Sequence, residues 1–158
     1  MSDSMPQDAS TILGALRAYL VAVAQIAALM GQGYEARIRP EQIPLNTPYR
    51  VGSPHLVYQR LGTRDIRTLR GTTQNLHPST VQVDVWSKDA QERDNLAQAV
   101  RLAMRPERFR GRWNGLEIRD VEKDFDGDTS SSAQDGSEEI DWRTTFRFTV
   151  WHRNLTEV

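Results

Sequence analysis

The side chains best suited to chemistry in this sequence are three histidines, His55, His77 and His152. Two of them fall in predicted strands and the third lies in a loop beside a proline. None has the helical spacing of a metal-binding pair, and none lies in a catalytic-triad motif. We therefore expect polar histidines at the surface or at strand ends. A hydrolytic site assembled only by folding, around His55 or His152, is the alternative.

A second candidate is the series Asp124, Asp126, Asp128 and Asp135, whose spacing resembles a calcium-binding loop. In such a loop the glycine follows the third acid, whereas Gly127 lies between the second and the third. The flanking segments also look like strands and not like helices. The sequence therefore predicts a solvated acidic loop without a metal ion, and no motif in it predicts a cofactor.

Two blocks of opposite charge suggest binding between macromolecules. We call Arg105, Arg108, Arg110 and Arg112 the arginine block; Trp113 follows it directly. Residues 120–141 hold nine acids against one lysine. Arginines beside an aromatic ring can grip nucleic acid. They can equally bind the acidic residues 120–141 of a neighbouring copy. We favour this second interpretation, because separate patches of opposite sign suit head-to-tail contacts.

Composition excludes several classes of protein. The chain has 158 residues, a net charge of -1 and no cysteine, so disulfides, thiolate nucleophiles and cysteine-ligated metals are ruled out. The balanced charge argues against general affinity for nucleic acid. No signal peptide is evident, and the longest apolar stretch is too short and too polar to span a bilayer. We expect a soluble protein of the cytoplasm.

Hydrophobic periodicity divides the first half of the chain into one helix and two strands. Apolar residues at steps of three and four predict an amphipathic helix over residues 11–30, ended by Gly31 and Gly33. Strands are predicted over residues 34–39 and 55–61, with a proline-rich connection between them. Residues 62–79 are predicted to be a long loop rich in arginine.

The second half reads as strand, helix, strand, strand. Alternating apolar residues predict a strand over 80–86, and helical spacing predicts a helix over 90–105. A strand over 116–125 and a mobile loop over 126–139 follow. The strict alternation from 140 to 153 predicts a long strand with one buried face.

These elements predict the fold class α+β. We expect a mainly antiparallel sheet of four to five strands, with two amphipathic helices packed on one face. The whole chain, residues 1–158, is predicted to be a single domain, in which residues 1–10 form a flexible tail and 11–154 the folded part.

Several segments, in this order, resemble one known family. A leading helix and a proline-rich segment precede PHLVYQR (54–60); VQVDVWS (81–87) precedes a helix containing LAQAV; and FRFTVWHR (146–153) forms the last strand. From about Thr11 to Asn154 the chain resembles the tail-completion, or tail-terminator, family of long-tailed phages and phage-derived particles such as gene transfer agents.

The resemblance implies a structural virion protein without catalytic residues. Such a subunit forms a ring, usually a hexamer, at the head-proximal end of the tail tube, stops tube growth and joins the tail to the head. The implied partners are further copies of the chain, the tail tube protein and the head-completion or connector protein. DNA would pass through the lumen without specific binding, and assembly would take place in the host cytoplasm without a membrane.

We expect the charged patches and the two long loops to make contacts between subunits or between rings, and an acidic lumen would let DNA slide. The candidate contact residues are Arg64, Arg67, Arg70, Arg105, Arg108, Arg110, Arg112, Asp124, Asp126, Asp128, Glu138 and Glu139. Two other functions stay open. One is a head-completion or connector ring of the same particle, and the other is a small nucleic-acid-binding module that uses residues 105–113.

Overall fold

A mixed six-stranded sheet forms the centre of the fold. The structure, a computed structural model, describes residues 11–40, 54–63, 76–132 and 140–154. The expected tail at residues 1–10 lies outside these ranges. The strand order is β1-β2-β3-β6-β5-β4, in which β1 is parallel to β2 and every other pair is antiparallel. The strands are β1 Ile38–Pro40, β2 His55–Thr63, β3 His77–Ser87, β4 Gly111–Trp113, β5 Leu116–Ser132 and β6 Ile140–Asn154.

The α+β class is confirmed, whereas the expected number of four to five strands is wrong. The described residues form six strands, and the additional one is β4, an edge strand of only three residues; β1, at the other edge, is equally short. Strands of this length show no alternation in the sequence. Pro40 is tolerated in β1 because an edge strand does not need every ladder donor. The predicted strand over 34–39 is largely a 3-10 turn, Tyr34–Arg37, and pairing begins only at Ile38.

The first helix is broken where the sequence predicts continuity. It consists of α1, Ile12–Ala22, and α2, Ala24–Met30, which meet at Val23 with a bend of 73°. Thr11 caps α1 by accepting a hydrogen bond from the N–H of Gly14 at 3.1 Å. Val23 is extended and is neither glycine nor proline, so no local signal marks the break. Within the described part of the chain, no single helix is long and apolar enough to cross a bilayer; α1 and α2 reach that length and composition only as this bent pair.

The second helix is close to its prediction. α3 covers Ala90–Ala103, and Asp89 caps it by accepting a hydrogen bond from the N–H of Glu92 at 2.9 Å. It ends two residues before the predicted end at 105. Pro106 does not simply stop it but begins a further single turn, α4, Pro106–Phe109. Proline suits the first turn of a helix, where its missing N–H would have no partner.

The prediction of a loop over 126–139 is wrong for residues 126–132, which belong to a strand. β5 continues to Ser132 because residues 125–132 pair without interruption with residues 140–147 of β6. Aspartate, serine and glycine favour turns in isolation, but a long partner strand supplies the ladder hydrogen bonds that hold this segment extended. Residues 133–139 lie outside the described part of the chain. Similarly, the predicted loop over 62–79 contains the end of β2 and the start of β3, and residues 64–75 lie outside the described ranges.

The hydrophobic core lies between the helices and one face of the sheet. The predicted alternation in β3 is confirmed, since Val81, Val83 and Val85 are all buried in this core. The predicted buried face of the last strand is confirmed for the middle of β6, where Phe146 and Phe148 are buried against the helices. The alternation fails at the start of β6, where Ile140 is 48% exposed and Asp141 is fully buried.

Candidate assembly surfaces

The arginine block lies on α4, on β4 and at the turns that join them to α3. Arg105 precedes α4, Arg108 is within it, Arg110 follows it, and Arg112 is the middle residue of β4. All four are exposed. Arg110 comes only to 4.0 Å from the carboxylate of Asp120, and both side chains are more than half exposed, so this pair adds little stability. The block is therefore a positive surface held by a short helix and an edge strand.

Trp113 does not accompany the arginines as a stacking platform. Its ring packs edge-on against Tyr19 of α1, with 5.0 Å between the ring centroids. Tyr19 in turn stacks on Phe109 at 4.5 Å and donates a hydrogen bond to the carbonyl of Ala103 at 2.5 Å. A ring engaged in this way anchors the block to the core. The pattern of arginine with an aromatic residue, which suggested nucleic-acid binding, therefore has a packing explanation.

The acids of β5 are held by partners within the same chain. Asp126 accepts hydrogen bonds from Arg101 of α3 at 2.7 Å and from Lys123 at 2.9 Å, and the bond from Arg101 is the main reason that its pKa is lowered. Asp128 accepts from the hydroxyl of Thr144 at 2.7 Å. These carboxylates lie on the helix-covered side of the sheet, where Asp126 is paired in register with the buried Phe146.

Asp124 belongs to the other face. It accepts a hydrogen bond from Thr149 at 2.5 Å, and Thr149 points away from the neighbouring core residues Phe148 and Val150. The three aspartates therefore do not converge on one point. Among the described residues, no group of three or more histidine, aspartate or glutamate side chains is close enough to hold a metal ion.

The structure does not bring the arginine block together with Asp126 or Asp128. Besides Lys123, which neighbours Asp126 on β5, the basic partners of these acids are the arginines Arg101 and Arg93, both on α3. Sequence reasoning missed both, because each contact joins residues far apart in the chain and neither arginine interrupts the helical pattern. Five of the expected contact residues lie outside the described ranges: Arg64, Arg67, Arg70, Glu138 and Glu139.

Two of the histidines meet across strands β3 and β6. His77 is paired in register with His152, and their ring centroids are 6.1 Å apart. The Nε2 atom of His152 lies 2.6 Å from the hydroxyl oxygen of Ser79. Ser79 is completely buried, and Nδ1 of His152 has no hydrogen-bond partner among the described residues. A serine nucleophile needs access for a substrate and an oriented base, so this geometry favours a structural contact.

Burial of His152 makes the stability of the fold depend on pH. Desolvation, with smaller contributions from His77 and Arg60, lowers the pKa of His152 to about 4. In the unfolded chain His152 binds a proton near pH 6.5, whereas in the folded chain it does so only near pH 4. Its contribution to the free energy of unfolding is therefore fully present above pH 6.5 and is lost as the pH falls towards 4. At pH 4 we expect the free energy of unfolding to be lower by roughly 3 kcal/mol for this reason. Urea unfolding across this range measures it.

The matched variant is His152→Gln, which keeps a polar group beside Ser79 but does not titrate. Its free energy of unfolding should vary less between pH 6.5 and pH 4 than that of the unmodified chain. Equal slopes for the two proteins would contradict this role of His152.

A small basic groove lies beside the arginine block. It has a volume of about 230 Å³ and runs between the end of α3, α4 and β5. Arg101, Arg105 and Lys123 contribute its positive charge, and Phe148 and Val121 its apolar floor. Arg105 lines this groove without a described salt bridge, whereas Arg101 and Lys123 both bond to Asp126.

The comparisons with known proteins agree with this fold. The family model of the tail completion protein gp17 matches residues 14–153. No curated protein matches the sequence significantly. Among solved structures, one chain from the virion of a native gene transfer agent particle is similar with a TM-score of 0.54 and 16% identity, over 89% of this chain and 98% of that one. At this identity the likeness concerns the fold alone. Because the family model covers nearly all of the described residues, the chain belongs to the tail completion protein gp17 family and is a structural protein of phage-type tails.

Proposed function

We propose that this protein is a tail terminator: copies of it close into a ring at the head-proximal end of the tail tube, stop the growth of the tube and join the tail to the head. The observation that supports this most is the family match over residues 14–153. The fold likeness to a chain of a virion particle agrees with it. The protein would then act through its surfaces, and no catalytic step is required.

In the mechanism that we propose, the ring stops growth because only one of its two faces can bind a layer of tube subunits. One face of the ring reproduces a layer of the tube and binds its last layer. The other face offers nothing to which a further tube subunit can bind, so the polymer ends. That second face is free to bind the head-completion or connector protein, and DNA passes through the lumen.

We assign the arginine block to a contact with another subunit or ring. Arg105, Arg108 and Arg112 are exposed and form no described salt bridge, in contrast to Arg93 and Arg101 of α3. Guanidinium groups bind carboxylates in a bidentate manner, which gives a contact a defined geometry. The partner is an acidic surface other than Asp126 and Asp128, since those two carboxylates are already engaged within the chain.

Electron microscopy of the purified protein, alone and with tail tubes, tests the proposal. We expect closed rings, and tubes capped at one end only. Arg108→Glu should reduce ring formation or capping at least tenfold, because it reverses a charge in the contact. Arg147→Glu is the control: it makes the same charge change at an exposed arginine on the sheet face that no described helix covers, and it should have little effect.

Two results would contradict the proposal. A protein that stays monomeric at high concentration and leaves tube ends uncapped is not a terminator. Rings that bind isolated heads but not tubes would favour the alternative function of a head-completion or connector ring.

A further inference from the structure

The outer edge of β5 is a long stretch of the sheet without a described strand beside it. β4 pairs with β5 only through Leu116, Glu117 and Ile118. Residues 119–132 bond to β6 on one side and to no described strand on the other. An unpaired edge presents a row of N–H and C=O groups, which is a template for the addition of another strand.

The two halves of this edge differ in how open they are to pairing. Register shifts follow Ile118 and Lys123, and such bulges twist an edge away from partners. Residues 125–132 have no shift and no proline, and their regular span is about 26 Å at the usual rise per residue. Asp126 and Asp128 are hydrogen-bonded to side chains of the same chain, which fixes their positions along this half of the strand. This half is therefore suited to accept a strand.

The opposite edge of the sheet also has an open segment. β1 covers only residues 56–58 of β2, so residues 59–63 pair with β3 alone among the described strands. Leu61 lies there at a register shift and is 48% exposed, next to the exposed Arg60. On β1, the Nε atom of Arg39 is buried without a hydrogen bond to any described residue. Among the described residues, this edge therefore combines backbone groups that have no strand partner, an apolar side chain and positive charge.

The charges of the two edges select the partner. Residues 125–132 carry Asp126 and Asp128, and three further acids precede them at residues 120–124 of β5, whereas residues 59–63 carry Arg60, with Arg39 on the neighbouring β1. Two β5 edges paired with each other would bring acids opposite acids, which destabilises a strand pair. A β5 edge beside the β1–β2 edge of another copy brings opposite charges together.

We propose that residues 125–132 of one copy pair with residues 59–63 of the next, so that the sheet continues from subunit to subunit. The inference rests on the ring proposed above and names its contact. Because the two edges are different surfaces, the contact is head-to-tail, and repetition with a fixed rotation closes a ring. The arginine block is then free to bind a neighbouring ring or protein.

Cysteine cross-linking tests this contact, and no native cysteine can form competing disulfides because the chain contains none. Ser130→Cys or Thr129→Cys is combined with a second cysteine at Gln59, Arg60 or Leu61, and the assembled protein is oxidised. We expect at least one pair to give a ladder of covalent oligomers that ends at the ring size and collapses on reduction. Ser130→Cys with Gln91→Cys, an exposed position on α3, is the matched control and should give no ladder.

Proline substitution tests the same edge independently of cross-linking geometry. Of Thr129→Pro and Ser130→Pro, one removes an N–H that bonds to β6 and should lower the unfolding temperature. The other removes an N–H that points outward. We expect this second variant to have the unfolding temperature of the unmodified chain but to form at least tenfold fewer rings.

The outcomes separate this inference from the proposed function. Rings that form normally with the well-folded proline variant, and without cross-links in any pair, would overturn the edge contact and leave the terminator function standing. Covalent dimers from Ser130→Cys alone would show pairing of two β5 edges and would also overturn it. Unmodified protein that forms neither rings nor caps would overturn both.

Discussion

Replacing Asp141 with alanine should lower the free energy of unfolding by about 3–5 kcal/mol, because it leaves a buried positive charge without its partner. The Nζ atom of Lys88 lies 2.9 Å from Oδ1 of Asp141, and both side chains are fully buried. Lys88 follows β3 directly and Asp141 is the second residue of β6, so the pair joins the ends of two central strands. Chemical denaturation of the purified variant measures the loss.

Two further variants show whether the unpaired charge is the cause. Lys88→Met combined with Asp141→Leu removes both charges and should recover most of the stability that Asp141→Ala loses. Arg153→Ala breaks the exposed pair with Glu117 and should cost less than about 1 kcal/mol. A loss below about 1 kcal/mol for Asp141→Ala would contradict the account.

The same ion pair shows why periodicity predicts β6 well in the middle and poorly at its start. Alternation places Phe146, Phe148 and Val150 in the core, and the structure agrees. It also places Ile140 inside and Asp141 outside, and the structure reverses both. A pattern of period two records which face a residue occupies, but burial at a strand end depends on what else packs there. The partner of Asp141 is Lys88, which is remote in the chain, and no local pattern connects the two.

Elements that stabilise themselves locally are predictable, whereas elements defined by pairing are not. α3 has a capping aspartate and an apolar stripe of its own, so its bounds follow closely from the sequence. Residues 126–132 have the composition of a loop and form a strand only because β6 lies beside them. The bend at Val23 is of the same kind, since it lets Ile26 and Met30 reach the core although nothing local interrupts the helix.

The charged surfaces divide in a similar way. Exposure of the arginine block follows from the sequence, because four arginines within eight residues, 105–112, cannot all be buried. The partners of the acids do not follow from it. Arg101 and Asp126 meet only because α3 crosses the sheet above β6, where the guanidinium of Arg101 also lies over the ring of Phe146 at 5.1 Å. Charge runs therefore predict where a surface is, but not which of its charges remain free to bind.

Phe109→Ala should have an effect as large as that of Asp141→Ala, again about 3–5 kcal/mol of unfolding free energy, because it leaves a cavity in the core. Phe109 is fully buried, stacks on Tyr19 of α1 and ends the short helix α4. Phe109→Leu should lose less, since it fills most of the space. Phe125→Ala is the matched control: that ring is 48% exposed, and its removal should cost under about 1 kcal/mol. Equal losses for the two alanine variants would show that α4 is not anchored through Phe109.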